Sequence, residues 1–233
     1  MYKRILLKLS GEAMQGSLGQ GFDYDSVQKI AEEIISLQKK GHEVAVVLGA
    51  GNIWRYRDTK ESGIKRTRSD ALGMTATVMN SVVLQSALES LSAKTRVVSS
   101  FPTPKLAENF LADTGKKYLS DGKILLCAGG TGNPYFTTDS AAALRALELE
   151  CDVIIKATKV DGVYDSDPEK NSSAKKYDIL SFDEAIEKNL KVMDQSAFSL
   201  CKEGGMKIIV LNMNTSGNIE KAASGEKVGT LVC

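Results

Sequence analysis

Apolar positions along this 233-residue chain alternate between two patterns. Short runs of aliphatic and β-branched residues read as strands: Arg4–Leu9, Glu43–Leu48, Thr95–Ser99, Lys123–Ala128, Val153–Ala157 and Lys207–Leu211, with a shorter one at Thr230–Val232. Between them lie segments with helical spacing. Ser26–Lys40 carries Val27, Ile30, Ile34 and Leu37 on one face and is followed by Gly41, a plausible C-cap. Ala71–Leu91 and Thr138–Leu149 read as helices too, and Asp194–Glu203 more weakly. Strands separated by helices imply βαβ units, and so an α/β fold whose parallel sheet carries helices on both faces.

The pattern changes once, near Lys159. From Val160 to Asn171 the chain is polar, contains the Asp161-Gly162 turn signal and reads as a long loop, which in a compact domain is more often functional than idle. No repeat, low-complexity tract or separating linker is visible, so one domain with two lobes is the simplest organisation.

Composition narrows the function without naming it. Hydrophobic residues at 42% and charged residues at 25% are ordinary for a globular chain, and a net charge of +1 gives no global field for nucleic acid or an anionic membrane. The cluster Lys65-Arg66-Thr67-Arg68 reads as a solvated loop, with anion binding as the alternative. The apolar run after Lys3-Arg4 ends at Lys8, too short for a signal peptide, and no stretch approaches the length of a membrane span. The four cysteines lack metal-ligand spacing, and His42 is the one histidine, so zinc or histidine-dependent catalysis is not expected. The expected compartment is the reducing cytoplasm.

The chemistry gathers where predicted strands end in glycines. Three such elements occur: Leu7-Lys-Leu-Ser-Gly-Glu12, Val47-Leu-Gly-Ala-Gly-Asn52 and Gly129-Gly-Thr-Gly-Asn-Pro-Tyr-Phe-Thr-Thr-Asp-Ser140. The last combines a strand-to-helix turn with hydroxyls at Thr131, Thr137, Thr138 and Ser140, and with Asn133 and Asp139 beside them, a setting that suits a phosphate. In a parallel sheet all three elements share the C-terminal edge, where doubly wound folds bind ligands. Trp54 stands where a dinucleotide fingerprint needs its third glycine, and Phe22-Asp23 stand where a P-loop needs Lys-Ser/Thr. Lys8 interrupts an apolar strand, and Lys156 ends another. Each either snorkels to water or meets an anion. Together they could clamp a transferring phosphoryl group, a reaction catalysed largely by positioning and charge neutralisation.

These motifs resemble the bacterial uridylate kinases of the amino acid kinase superfamily. The resemblance rests on residues 8–12, Asp70 with Leu72-Gly-Met74, residues 131–140, residues 156–164, Asp167-Pro168, Lys191-Val-Met-Asp194 and the Gly229-Thr-Leu231 ending, and it runs essentially end to end. It implies a three-layer α/β/α sandwich with a mainly parallel central sheet. It also implies transfer of a phosphoryl group from ATP to UMP with Mg²⁺, held by nucleotide phosphates and water with no metal ligand from the protein. The acceptor lobe would span roughly 1–157 and the ATP lobe roughly 158–233.

Carried over residue by residue, Lys8, Lys156 and Asp161 are the expected catalytic residues, with Asp161 orienting the lysines. Lys8, Leu9, Ser10, Gly11, Gly51, Arg55, Thr158, Tyr164 and Asp167 would contact ATP. Ala50, Asp70, Thr131, Gly132, Asn133, Pro134, Tyr135, Phe136, Thr137 and Thr138 would contact UMP. The segment Gly16, Ser17, Leu18, Gly19, Gln20, Gly21 resembles one associated with activation by GTP, alongside inhibition by UTP. A homo-oligomer, typically a hexamer, is implied, with no membrane or nucleic-acid partner. On the residues alone, Asp70 could instead cap a helix beginning at Ala71, and Asp161 could serve only its turn. The sequence departs from the family at Ala50, at Tyr56-Arg-Asp58 and over Phe101–Gly122. An amino acid kinase making an acyl phosphate, or a non-catalytic nucleotide sensor, are the competing readings.

Overall fold

The computed structural model describes residues 1–56, 63–166, 168, 170–171, 173–190 and 192–233. Among the described residues nine strands form one sheet: β1 (Arg4–Leu9), β2 (Glu43–Leu48), β3 (Thr95–Ser99), β4 (Glu108–Asn109), β5 (Ile124–Ala128), β6 (Val153–Thr158), β7 (Ile179–Leu180), β8 (Lys207–Asn212) and β9 (Thr230–Val232). Their order is β4-β3-β5-β2-β1-β6-β8-β9-β7. Every pairing is parallel except β8 with β9, so the sheet is mixed but mainly parallel.

The central strands are buried on both faces, which explains their unbroken aliphatic runs. Alternation sends Ile5, Leu7 and Leu9 of β1 and Val153, Ile155 and Ala157 of β6 into one hydrophobic layer. That layer is closed by α1 (Tyr24–Lys39), α2 (Arg66–Ser90) and α7 (Asn218–Ser224). Leu6 and Ile154 point the other way, into a layer closed by α3 (Ala112–Ser120), α4 (Thr138–Glu148), α5 (Phe182–Glu187) and α6 (Gln195–Glu203). The result is a three-layer α/β/α sandwich.

Two expectations change here. The Lys65–Arg68 cluster is no loop: α2 begins at Arg66, with Lys65 in the N-cap position. A membrane-length apolar segment also exists, because α2 is long and apolar enough to cross a bilayer by length and composition. It nevertheless lies on the sheet, with Val78, Leu84 and Leu88 buried in the core layer. His42 is buried just before β2, its Nδ1 2.7 Å from the Tyr2 carbonyl oxygen.

Candidate active site

The register between β1 and β6 sets the centre of the site. Lys8 lies opposite Lys156, and both follow an inward residue of the same face, Leu6 and Ile154. Two ammonium groups on neighbouring strands, pointing to one side, would repel each other unless an anion lay between them. The first turn of α4 covers that spot and supplies Asp139. Its Oδ1 lies 2.6 Å from Lys8 Nζ and its Oδ2 2.7 Å from Lys156 Nζ. Lys156 also donates to the Val192 carbonyl at 2.6 Å. The three side chains are only 13–14% exposed.

Burial alone would push the Asp139 carboxyl up, but the two lysines outweigh it and hold the group below its ordinary value. Lys156 moves down as well: desolvation is the largest effect, the charge of Lys8 adds to it, and Asp139 offsets only part. The centre therefore carries an ionised carboxylate and an ammonium that is held less tightly than usual.

Around this centre the glycine elements interlock. Leu9 is buried at the end of β1, and its carbonyl accepts from Gly49 N at 2.9 Å. Ser10 caps a short 3₁₀ turn, Gly11–Met14, by accepting from Glu12 N. A Cβ on Gly11 would lie 2.5 Å from both Gly49 O and Asn52 Oδ1, so only glycine lets the first two loops approach this closely. Asn52 and Asn80, both buried, bond to each other through their amides. Asn80 also donates to Gly49 O and Asn52 to Gly21 O, fixing the second loop from behind. Ala50 does not adopt a positive φ, so a side chain there brings no left-handed backbone strain. Arg55 donates to Gly51 O at 2.6 Å and pairs with Glu12 at 2.8 Å.

On one side of the lysines a cavity of about 280 Å³ is lined by Ala50, Gly51, Asp70, Thr131, Phe136 and Thr138, among others. Asp70 sits in the second turn of α2, past the cap position, which removes the capping alternative. Its carboxylate accepts from Arg66 Nε and from Tyr135 N, each at 2.8 Å. Tyr135 adopts φ +70°, strain that this hydrogen bond helps to hold, and the Arg66 guanidinium lies over its ring. Gly129 turns the chain out of β5 at φ +79°, where a Cβ would sit 2.8 Å from Ser99 Oγ. Gly132 is also left-handed, at φ +80°. Thr131 Oγ1 closes a local turn with Asn133, and Pro134 follows. Thr137 caps α4.

On the other side a cavity of about 540 Å³ is lined by Lys156, Thr158, Val160, Tyr164, Asn189 and Val210, among others. The Thr158 hydroxyl donates to Val160 O. Here the expected role of Asp161 is corrected. Its carboxylate accepts from Tyr164 Oη at 2.6 Å and lies 3.3 Å from Lys176, with its side chain 53% exposed. Asp161 follows the end of β6 by three residues and leaves the sheet, so it does not orient the lysines; Asp139 does. Asp167 lies outside the described residues, as do Asp58 and Lys191. The segment from Gly16 to Gly21, with Ser17, Leu18, Gly19 and Gln20, lies apart from the lysines and joins the site through Gly21 and Asn52.

Comparison with known proteins decides the family. Residues 3–212 match the amino acid kinase family. The chain belongs to that family. Among amino acid kinase folds of known structure, it is similar to the UMP kinase of Bacillus anthracis, at 38% identity and a TM-score of 0.97 over 99% of this chain and 96% of that one. It is similar also to the UMP kinase of Ureaplasma parvum, at 38% and 0.94 over 100% and 99%. The uridylate kinase of Archaeoglobus fulgidus matches at 31% and 0.74, over 98% and 99%. In this amino acid kinase, sequence reasoning noticed Asp139 but gave it no role. The available signal was its place in the first turn of a helix that follows the glycine–threonine loop.

Proposed function

We propose that the chain is a UMP kinase, transferring the γ-phosphoryl group of ATP to the phosphate of UMP to give UDP and ADP. The observation that carries this reading is the Lys8–Asp139–Lys156 cluster set between two cavities at the C-terminal edge of a parallel sheet. Similarity to UMP kinases across nearly the whole chain supports the choice of acceptor.

In this reading the smaller cavity holds UMP. Asp70 takes the ribose hydroxyls, the Thr131–Thr138 loop and Ala50 take the base and phosphate, and the N-terminus of α4 adds its dipole. The larger cavity holds the ATP base and ribose through Thr158, Tyr164 and Asp167, with residues 1–157 forming the acceptor lobe and 158–233 the donor lobe. Lys8 and the Ser10-Gly11 turn meet the transferring phosphoryl group, with Gly51 and Arg55 near the ATP phosphates. Lys156 neutralises the charge that spreads over the phosphoryl oxygens.

Mg²⁺ would supply further neutralisation at those phosphates. Both Asp139 oxygens face lysines, and the described residues form no cluster of three acidic, histidine or cysteine side chains. That suits an ion carried by nucleotide phosphates and water.

Leu72 and Met79 are exposed on one side of α2, with Thr75 between them, although the helix is apolar overall. This favours a homo-oligomer, with a hexamer as the specific proposal. Activation by GTP through Gly16–Gly21, inhibition by UTP and a cytoplasmic location complete the reading.

The test is ADP release with UMP, CMP, aspartate, glutamate or carbamate as acceptor. UMP is expected to turn over fastest. Turnover with glutamate and none with UMP would replace this proposal with an acyl-phosphate kinase.

A further inference from the structure

The carboxylate between the lysines is only as well placed as the helix turn that carries it, and that turn is held by a second aspartate. Thr137 Oγ1 accepts from Asp139 N at 3.0 Å and from Ser140 N at 3.4 Å. Both lone pairs of the hydroxyl are thereby used, and its proton needs an acceptor. That acceptor is Asp194 Oδ2. The buried Ser140 hydroxyl donates to the same carboxylate at 3.0 and 3.2 Å. Asp194 Oδ1 also accepts from Ala197 N at 3.0 Å, capping α6. One carboxylate thus ties together the N-termini of two helices, whose dipoles both favour its charge. Two residues earlier, Val192 O accepts from Lys156 Nζ. The short stretch from Val192 to Asp194 therefore holds two members of the cluster.

We propose that Asp194 is a positioning residue of the phosphoryl-transfer site: by fixing the direction of the Thr137 hydroxyl it sets the first turn of α4, and so the place of Asp139 between Lys8 and Lys156. The proposal rests on the UMP kinase reading. Turnover of UMP by the unaltered protein is the control that separates failure of the two.

Asp194→Asn isolates the role. An asparagine keeps an oxygen for Ala197 N, so α6 stays capped, but its amide can only donate toward Thr137. The threonine hydroxyl must then turn its proton elsewhere or release a helix N–H. The expected result is a kcat lowered about 10- to 100-fold, KM for ATP within about threefold and a melting temperature shifted by only a few degrees. Thr137→Val should lower kcat at saturating UMP to a similar degree, whereas Thr137→Ser, which keeps the hydroxyl, should restore most of it. The double variant Asp194→Asn with Thr137→Val should be no slower than the slower single variant.

A kcat within twofold of the unaltered protein for Asp194→Asn overturns the proposal. So do strictly additive effects in the double variant, because Asp194 would then act by a route that bypasses Thr137. Should the asparagine variant unfold, Thr137→Val decides alone, since it leaves the α6 cap intact: a kcat within twofold at saturating UMP overturns the proposal.

Discussion

Replacing Asp139 with asparagine is the sharpest test of the proposed phosphoryl-transfer centre. The change keeps the side-chain shape and removes one charge lying 2.6 and 2.7 Å from two ammonium groups. A pair of unit charges at about 4 Å is worth about 4 kcal/mol at an effective dielectric near 20. Part of that attraction is already offset by the cost of burying the groups, so the whole of it is not lost. Removing one partner of a buried ion pair costs about 3–5 kcal/mol, because the remaining charge is left unmatched. Here two like charges remain on paired positions of adjacent strands. Lys156, already depressed by burial, is the one expected to shed its proton or swing away. If about 3–4 kcal/mol of that disturbance persists at the transition state, kcat falls about 10²- to 10³-fold. Bound nucleotide phosphates supply replacement anions, so the KM values should move far less than kcat. The assay is steady-state ADP release at saturating UMP and ATP, beside thermal melts with and without nucleotide. The melt without nucleotide should drop, and ligands should recover much of the loss. A variant retaining kcat within threefold would show that the lysines need no carboxylate between them, and the charge argument would fail.

Other outcomes follow from the same geometry. Lys8→Met should leave UMP binding, read by titration calorimetry, within a few-fold while kcat collapses by orders of magnitude; unchanged kcat removes Lys8 from the mechanism. Asp70→Ala removes the acceptor for Tyr135 N and for Arg66 and should raise KM for UMP about 10-fold or more with little change in KM for ATP; equal effects on both substrates would contradict an acceptor-side role. Gly129→Ala forces a side chain into φ +79° with a 2.8 Å clash on Ser99 Oγ and should cost about 1–3 kcal/mol in urea unfolding, a result that a neutral substitution would refute. In the pH profile, Lys156 loses its charge as pH rises through a folded value below 10.5, so the alkaline limb of kcat/KM should begin below that pH. The limb of kcat should lie higher, because bound phosphates favour the ammonium, and Lys156→Arg should abolish the difference. Asp139, held low, contributes stability that is complete above its ordinary value near 3.8 and is lost as pH falls through the lower folded value, so it leaves the neutral range flat.

The central strands and long helices were legible because their patterns are long and one-sided. β1, β2, β3 and β8 begin within a residue of where the aliphatic runs begin. What escaped was short or locally mixed. β4 and β7 hold two residues each and exist only by pairing with β3 and β9. α3 carries Gly115 and two lysines in its middle, and α7 lies between two glycines in seven residues. The start of α2 was misplaced because Lys65–Arg68 looked like a solvated run. Its charges have partners that only the fold reveals: Arg66 pairs with Asp70 one turn on and lies over the rings of Tyr56 and Tyr135.

The candidate site divides along the same line. Glycine loops and strand-end lysines announce themselves, since glycine marks close backbone approach and a lysine inside an aliphatic strand is costly unless matched. Which carboxylate matches the lysines is a question of three-dimensional register, and chain proximity points the wrong way. Asp161 is five residues from Lys156, but those residues carry it beyond the end of β6 into the loop, where Tyr164 and Lys176 engage it. Asp139 is 17 residues from Lys156 and 131 from Lys8, yet α4 crosses the face from which both side chains project. A parallel strand pair puts equivalent positions side by side and facing one way, so two lysines in register demand a single anion from the layer above. The part of that layer that delivers a carboxylate to both lysines is the start of the helix that follows the glycine–threonine loop. The glycine–threonine loop and the charge-organising residue are therefore consecutive in the chain: the turn that lines the cavity proposed for UMP also delivers the carboxylate on which both lysines converge.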